Sequence, residues 1–163
     1  MRKLLLLTIT TAALGGLVAT AEALATGSAT TSAYKAAAVK ISTRKLPKLG
    51  TILVNSKGLT LYMFVPDKRK KVTCVHACAV IWPPVKLAKG EKAVAAGTVK
   101  TSLLGSDPDP AGGRVVTYNK WPLYTYITDK KPGQATGQAL NLNGGLWYVL
   151  NPAGKVIKTK LTR

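Results

Sequence analysis

The chain has 163 residues and a formal net charge of +18, from 24 lysines and arginines against six acidic residues. Its length suffices for one hydrophobic core, and its Val, Leu, Ile and Tyr content is that of a folded domain. One histidine and so few carboxylates argue against a serine–histidine–acid set, a carboxylate dyad or a calcium loop. The positive charge favours polyanionic partners through an attraction that weakens with salt.

Residues 1–25 have the pattern of a secretory signal peptide. Arg2 and Lys3 precede an apolar run from Leu4 to Val18, and small residues follow at alternate positions up to Ala25. A membrane anchor is the alternative, but the run is short and is broken by threonines and glycines. We therefore predict cleavage after Ala25 or Ala23. The mature protein of 138 residues then has 22 basic and 5 acidic residues, a net charge of +17.

After a flexible tail over 26–38, the folded domain is expected to cover 39–163. Short runs rich in β-branched and aromatic residues predict strands at VKIS (39–42), TILVN (51–55) and LTLYMFV (59–65). The segment Asn55-Ser56-Lys57-Gly58 suits a type I turn and predicts that the last two form a hairpin.

Two connecting regions follow this hairpin. The segment CVHACAVIWPPV (74–85) is apolar at spacings of three and four and ends at two prolines, which predicts one short helix near 74–82. Residues 86–113 are rich in Lys, Gly, Ala and Pro, and we expect a long surface excursion with at most a short strand or turn.

The second half of the chain repeats the hairpin. RVVTY (114–118), a tight corner at Asn119-Lys120 and WPLYTYIT (121–128) predict two strands, and LWYVLNPAGKVIKT (146–159) predicts a closing hairpin. Leu61, Tyr62, Phe64 and Asp67 recur 62 positions later as Leu123, Tyr124, Tyr126 and Asp129. We therefore predict one mostly β domain, sandwich-like or barrel-like, with imperfect repeats over about 48–85 and 103–155.

The repeated aromatic strands have two possible uses. Period-two alternation places Tyr62 and Phe64 on one face and Leu61 and Met63 on the other, and Tyr124 and Tyr126 likewise oppose Leu123. Buried packing of these rings is the favoured interpretation, and a stacking platform for sugars or bases is the alternative. The aspartates that follow, Asp67 and Asp129, are expected to accept hydrogen bonds from backbone amides of the turns that end their strands.

Cys74 and Cys78 are the two cysteines of an exported chain, so we expect them to form a disulfide. His76 lies between them and raises the alternative of a metal site. A closed zinc site needs four ligands and no third strong ligand is evident, so no metal and no cofactor are predicted.

Several ordered motifs together resemble the bacterial family of secreted repeats of unknown function, predicted lipoproteins with a Tyr-x-aromatic-x-x-Asp motif. YMFVPD (62–67) and YTYITD (124–129) fit that motif, and the resemblance extends over roughly 48–155 through the paired cysteines before WPP, VTYNKWPLY, KPGQATGQ and WYVLNPAG. It implies an exported, envelope-associated protein and no established reaction. Many relatives are tethered by a lipidated cysteine, and no cysteine lies near the predicted cleavage site.

The sequence therefore predicts a noncatalytic, secreted or periplasmic protein that is not lipidated and binds anionic envelope polymer through its basic surface. Nucleic acid is a less accessible polyanion for an exported protein. The alternative function is a module for a small ligand, a metal or redox chemistry, built on Cys74, His76, Cys78 and the aromatic strands.

Overall fold

The computed structural model describes residues 38–68 and 71–161, which fall within one compact unit, 36–163. The predicted signal peptide and all but the last residue of the predicted tail lie outside the described residues. Over these described residues the fold is mostly β and sandwich-like, with one short α-helix, and its strands form three sheets rather than one closed barrel. Among the described residues, no helix is long and apolar enough to cross a membrane.

The first sheet contains the N-terminal hairpin. Strand β1 (Lys40–Leu46) pairs antiparallel with β2 (Gly50–Asn55), and β5 (Val94–Ala95) adds to β1 in parallel. Strand β5 lies in the region that was expected to be a surface excursion. It joins the sheet through hydrogen bonds such as that from Val94 N to the carbonyl oxygen of Val39 at 2.9 Å.

The second and third sheets each combine short strands from distant parts of the chain. The second has the order β11 (Val156–Ile157), β10 (Gly145–Leu150), β3 (Tyr62–Phe64), with β9 (Asn141–Leu142) also on β10. The third has the order β4 (Lys86–Leu87), β7 (Arg114–Tyr118), β6 (Leu104–Pro108), with β8 (Trp121–Pro122) on β7. The helix α1 (Ala77–Ile81) lies within the predicted segment, but the strand predicted over 121–128 is regular only at its start.

The two aromatic strands have equivalent partners. In β3, Phe64 pairs with Trp147 and Tyr62 pairs with Val149. In the second copy, Tyr124 bridges to Pro84, and Thr125 N and Ile127 N donate to the carbonyl oxygens of Pro83 and Ile81. The segment 82–85 therefore pairs with the backbone of the second motif, in the same way that the segment 147–150 pairs with the first motif. The first strand of the closing hairpin is thus part of the second repeat.

Alternation along β3 divides the interior into two clusters. Leu61 and Met63 join one cluster of buried aliphatic side chains with Ile41, Leu53 and Leu123, while Tyr62 and Phe64 join an aromatic cluster with Trp82, Tyr124 and Trp147. Because both faces of β3 are covered, this three-residue strand is buried along its whole length.

The two Asn-x-x-Gly turns have the same geometry. Asn55 Oδ1 accepts hydrogen bonds from the backbone N–H groups of Lys57 and Leu59, and Asn151 Oδ1 accepts them from Ala153 and Lys155, all at 2.9–3.0 Å. The closing glycines have φ of +75° at Gly58 and +73° at Gly154, which favours glycine over any other residue.

Replacing either asparagine by alanine removes two hydrogen bonds at once. We expect Asn55→Ala and Asn151→Ala each to lower the free energy of unfolding by about 1–3 kcal/mol, at roughly 0.5–1.5 kcal/mol per bond. Urea unfolding of the disulfide-intact protein measures this. The matched control is Ser56→Ala in the same turn, where the exposed side chain predicts a change within about 0.5 kcal/mol. Equal effects at Asn55 and Ser56 would contradict the geometry.

Candidate functional site: the crossed motifs and the aromatic groove

The two copies of the Tyr-x-aromatic-x-x-Asp motif hydrogen-bond to each other. Tyr62 Oη donates to Asp129 Oδ2 at 2.5 Å, and Tyr124 Oη donates to Asp67 Oδ2 at 2.8 Å. The backbones also pair, with Tyr62 N to Tyr124 O at 2.8 Å and Tyr124 N to Tyr62 O at 3.0 Å. All four residues are buried. Each motif thus supplies the donor of one pair and the acceptor of the other, so the site has an approximate twofold symmetry.

The second oxygen of each carboxylate closes a loop. Asp67 Oδ1 accepts hydrogen bonds from Thr73 N at 2.8 Å and Thr73 Oγ1 at 2.7 Å, and Asp129 Oδ1 accepts the same pair from Thr136 at 3.0 and 2.6 Å. The sequence predicted that the aspartates accept hydrogen bonds from backbone amides. It did not predict that they also accept hydrogen bonds from tyrosine and threonine hydroxyl groups. A threonine six or seven residues after each aspartate is the signal that could have suggested this closure.

The aromatic residues at the third position of each motif, Phe64 and Tyr126, form with two tryptophans a stack of four rings. Phe64 stacks on Trp147 at 4.1 Å between ring centroids, Trp147 on Trp82 at 3.8 Å, and Trp82 on Tyr126 at 4.0 Å. Tyr62 and Tyr124 meet Trp82 and Trp147 edge-on at 5.4 and 5.3 Å. Stacked and edge-on aromatic pairs stabilise by about 0.5–1.5 kcal/mol each beyond the area they bury.

The two ends of this stack differ. Phe64 is 3% exposed, and a Cβ placed on Gly145 would lie 2.5 Å from Pro66 Cγ and 3.0 Å from the Phe64 ring, so Pro66 and Gly145 close this end. Tyr126 at the other end is half-buried and lines a groove of about 510 Å³, defined here as the Tyr126 groove, with Thr128, Ala135, Thr136, Leu140 and Leu161. Thr128 holds the position that corresponds to Pro66 in the repeat.

The cysteine segment contains a disulfide. Cys74 and Cys78 are bonded, with their Cα atoms 5.2 Å apart, as the sequence predicted. His76 between them is exposed and has φ of +53° just before the helix Ala77–Ile81. No group of three or more His, Cys, Asp or Glu side chains in the described residues is placed to hold a metal ion. The disulfide therefore holds a local turn that begins one residue after Thr73, whose backbone N–H and hydroxyl donate to Asp67.

The charged residues are divided between interior and surface. All 18 lysines and arginines in the described residues are exposed. Of the five acidic residues there, Asp67, Asp109 and Asp129 are buried, Asp109 pairs with Lys86, and Glu91 accepts a hydrogen bond from Ala88 N. Four of the five carboxylates thus make bonds within the protein, which leaves the surface cations with few acidic neighbours.

Burial raises the pKa values of three of the four side chains in the crossed pairs. Burial, and then the nearby carboxylates of Asp129 and Asp67, raise the pKa values of Tyr62 and Tyr124 far above that of a free tyrosine. Burial also raises the pKa of Asp67, against the opposing effect of the hydrogen bonds from Thr73 and Tyr124. Both tyrosines therefore remain hydrogen-bond donors wherever the protein is folded.

These features define a class of protein: a disulfide-containing β domain in which two repeats exchange a tyrosine–aspartate hydrogen bond. The chain belongs to the family described as secreted repeat of unknown function, whose model matches it twice, at residues 43–86 and 107–151. No curated protein and no solved structure matches the chain. The family match bears out the resemblance inferred from the motifs.

A double-mutant cycle tests whether each tyrosine bonds to the aspartate of the other motif or to that of its own motif. Tyr62→Phe and Asp129→Ala should each lower the free energy of unfolding by about 1–3 kcal/mol, because each leaves a buried partner without its bond. The two changes should be coupled by about 1 kcal/mol or more, as residues in contact are.

The matched control is the cycle of Tyr62→Phe with Asp67→Ala, which joins two positions of the same motif. These side chains do not bond to each other, so we expect a coupling below about 0.5 kcal/mol. A larger coupling in this cycle than in the Tyr62–Asp129 cycle would mean that the motifs do not cross.

Alkaline pH should destabilise the protein through the two buried tyrosines. Above about pH 10, unfolded tyrosines lose their protons. The folded tyrosines keep them because their pKa values are raised. The unfolded state then binds fewer protons than the folded state, so stability falls with rising pH, with a slope that grows through pH 10 toward about 2.7 kcal/mol per pH unit for two such groups. Urea unfolding between about pH 9 and 11 measures this slope. The Tyr62→Phe/Tyr124→Phe variant should have a much shallower slope, and an unchanged slope would contradict the assignment.

Proposed function

We propose that this protein is an exported, noncatalytic binder of anionic cell-envelope polymer. The observation that carries the proposal is the separation of charge: every described lysine and arginine is exposed, while four of the five described carboxylates are used in bonds within the protein. A polyanion would therefore meet cations with little competition from neighbouring acidic groups. The family's description as secreted supports an envelope location.

The repeat architecture supports a particular surface for this binding. The aspartate–threonine closure of the second copy bounds a loop that contains Lys130 and Lys131, both exposed. This loop packs on the segment between β2 and β3, since Thr60 Oγ1 donates to the carbonyl oxygen of Gln134 at 2.5 Å. The crossed motifs thereby hold a basic loop of one repeat against a turn of the other.

Two further cations lie at the same contact. A Cβ placed on Gly58 would lie 3.2 Å from the Pro132 ring and 3.3 Å from Arg44 Nη2, so Arg44 and the Lys57–Gly58 turn adjoin the loop. We call the exposed side chains of Arg44, Lys57, Lys130 and Lys131 the basic loop surface. These cations lie on three segments that contact one another, strand β1, the turn at 55–58 and the loop, so their backbones are fixed relative to one another.

Charge neutralisation tests this surface. The triple variant Arg44→Ser/Lys57→Ser/Lys131→Ser should bind polyphosphate or isolated anionic wall material more weakly at low salt. The slope of log K against log salt should also decrease, by on the order of one unit for each ion pair removed. Isothermal titration at several salt concentrations gives both quantities.

The control variant removes the same charge elsewhere, as Lys89→Ser/Lys92→Ser/Lys120→Ser. It should keep most of the affinity if the basic loop surface makes the contacts. Equal losses in both variants would show that binding follows net charge alone. Tight binding that survives molar salt, or no binding at low salt, would contradict the proposed function itself.

A further inference from the structure

We propose that the Tyr126 groove binds a sugar unit of an anionic polysaccharide, and so determines which polyanion the basic loop surface retains. The inference rests on the proposed function and deepens it by naming the substrate class. The groove has an aromatic wall, apolar side chains, fixed hydroxyl groups and adjacent cations. A polymer that combines sugar rings with carboxylate or phosphate groups presents the complementary features.

The aromatic wall is the outermost ring of the stack. Tyr126 lies against Trp82 with centroids 4.0 Å apart and an interplanar angle of 17°, and Tyr62 meets it edge-on at 6.5 Å. The ring is held from behind while it also lines the groove. A rigid aromatic face of this kind can stack on the apolar face of a sugar ring at little cost in conformational entropy.

Comparison of the repeats shows that this opening is a local departure from the shared architecture. At the opposite end of the stack, the corresponding ring, Phe64, is covered by Pro66 and Gly145. In the second copy, Thr128 replaces the proline, and the tyrosine ring borders the groove. The duplicated fold does not require an open end, because the first copy packs without one.

The hydroxyl groups at the groove are fixed in position. Thr128 Oγ1 lies 2.7 Å from Thr136 Oγ1, and both residues are exposed. Thr136 is itself held by Asp129, which accepts hydrogen bonds from its backbone N and its Oγ1. Because Thr136 Oγ1 donates to Asp129, Thr128 Oγ1 donates to Thr136 Oγ1, so the Thr128 oxygen is oriented to accept a hydrogen bond from a sugar hydroxyl, while Leu140 and Leu161 contribute apolar contact.

Charge and size agree with this occupant. Lys130 and Lys131 stand in the loop that connects the groove residues Thr128 and Ala135, so the acidic groups of a bound polymer would have cationic partners nearby. The volume of about 510 Å³ falls within the usual range for small-ligand sites, about 300–1,000 Å³. The groove is therefore large enough for part of a glycan chain rather than a single small ion.

The test compares two kinds of polyanion on the mature protein and its variants. The probes are hexasaccharides of hyaluronan and polygalacturonate, which carry sugar rings and carboxylates, and polyphosphate, which carries charge alone. Binding is followed by calorimetry and by tryptophan emission, since Trp82 lies directly behind Tyr126. We expect at least one of the hexasaccharides, but not polyphosphate, to change the tryptophan emission.

Tyr126→Ala should weaken binding of that hexasaccharide about tenfold, the order of loss that follows removal of one stacking ring from a nucleic-acid platform. Its affinity for polyphosphate should change less than about twofold, since no charge is removed. Tyr126→Phe keeps the ring and should retain the hexasaccharide affinity, which separates stacking from any effect on folding. Urea unfolding verifies that both variants are folded.

The outcomes separate this inference from the proposed function. If neither hexasaccharide binds, or if Tyr126→Ala binds as well as the wild type, the sugar site is refuted, while salt-sensitive polyphosphate binding would still support the basic loop surface. If no polyanion binds at low salt, the proposed function fails, and the inference fails with it.

Discussion

The reciprocal hydrogen bonds between Tyr62 and Asp129 and between Tyr124 and Asp67 are the constraint on which the rest of the structure depends. A buried carboxylate is costly unless hydrogen-bond donors surround it. Here the tyrosine donor comes from the other repeat, 67 or 57 residues away in the chain. The two hairpin units must therefore meet at the motifs, and the twofold arrangement follows from that meeting.

Two further features follow from the same contact. Because Tyr62 and Tyr124 lie side by side, the tryptophans that meet them edge-on, Trp82 and Trp147, are brought face to face at 3.8 Å. Because one oxygen of each aspartate accepts the tyrosine, the other is left to hold the threonine beyond a basic loop. The interior hydrogen bonding thereby governs which cations the surface presents. The same arrangement therefore joins the two repeats and positions the loop that carries Lys130 and Lys131.

The sequence predicts the local strands and turns well, but it predicts poorly which of them contact one another. Strand β7 at Arg114–Tyr118, the Asn-x-x-Gly turns and the alternation along β3 all follow from patterns within a few residues. The crossing of the motifs could not be predicted, since a repeat spacing of 62 does not say which copy bonds to which. The equivalence of Trp82–Val85 and Trp147–Leu150 was hidden by a different spacing and by Pro83-Pro84. Strand β5 could not be located from the sequence, because its partner residues in β1 lie 54 positions earlier and its own sequence lacks a strand pattern.

Reciprocity also limits how far the two copies can diverge. A substitution of Tyr62 removes a hydrogen bond of Asp129, and a substitution of Phe64 removes a stacking contact of Trp147. Each copy of the motif is therefore constrained by residues in the other half of the chain. Positions outside these exchanges are under no such restraint. The proline at 66 and the threonine at 128 occupy equivalent places, yet one covers the ring beside it and the other borders a groove. Duplication thus provided a rigid frame and, at Thr128, a site at which one copy could acquire a role that the other lacks.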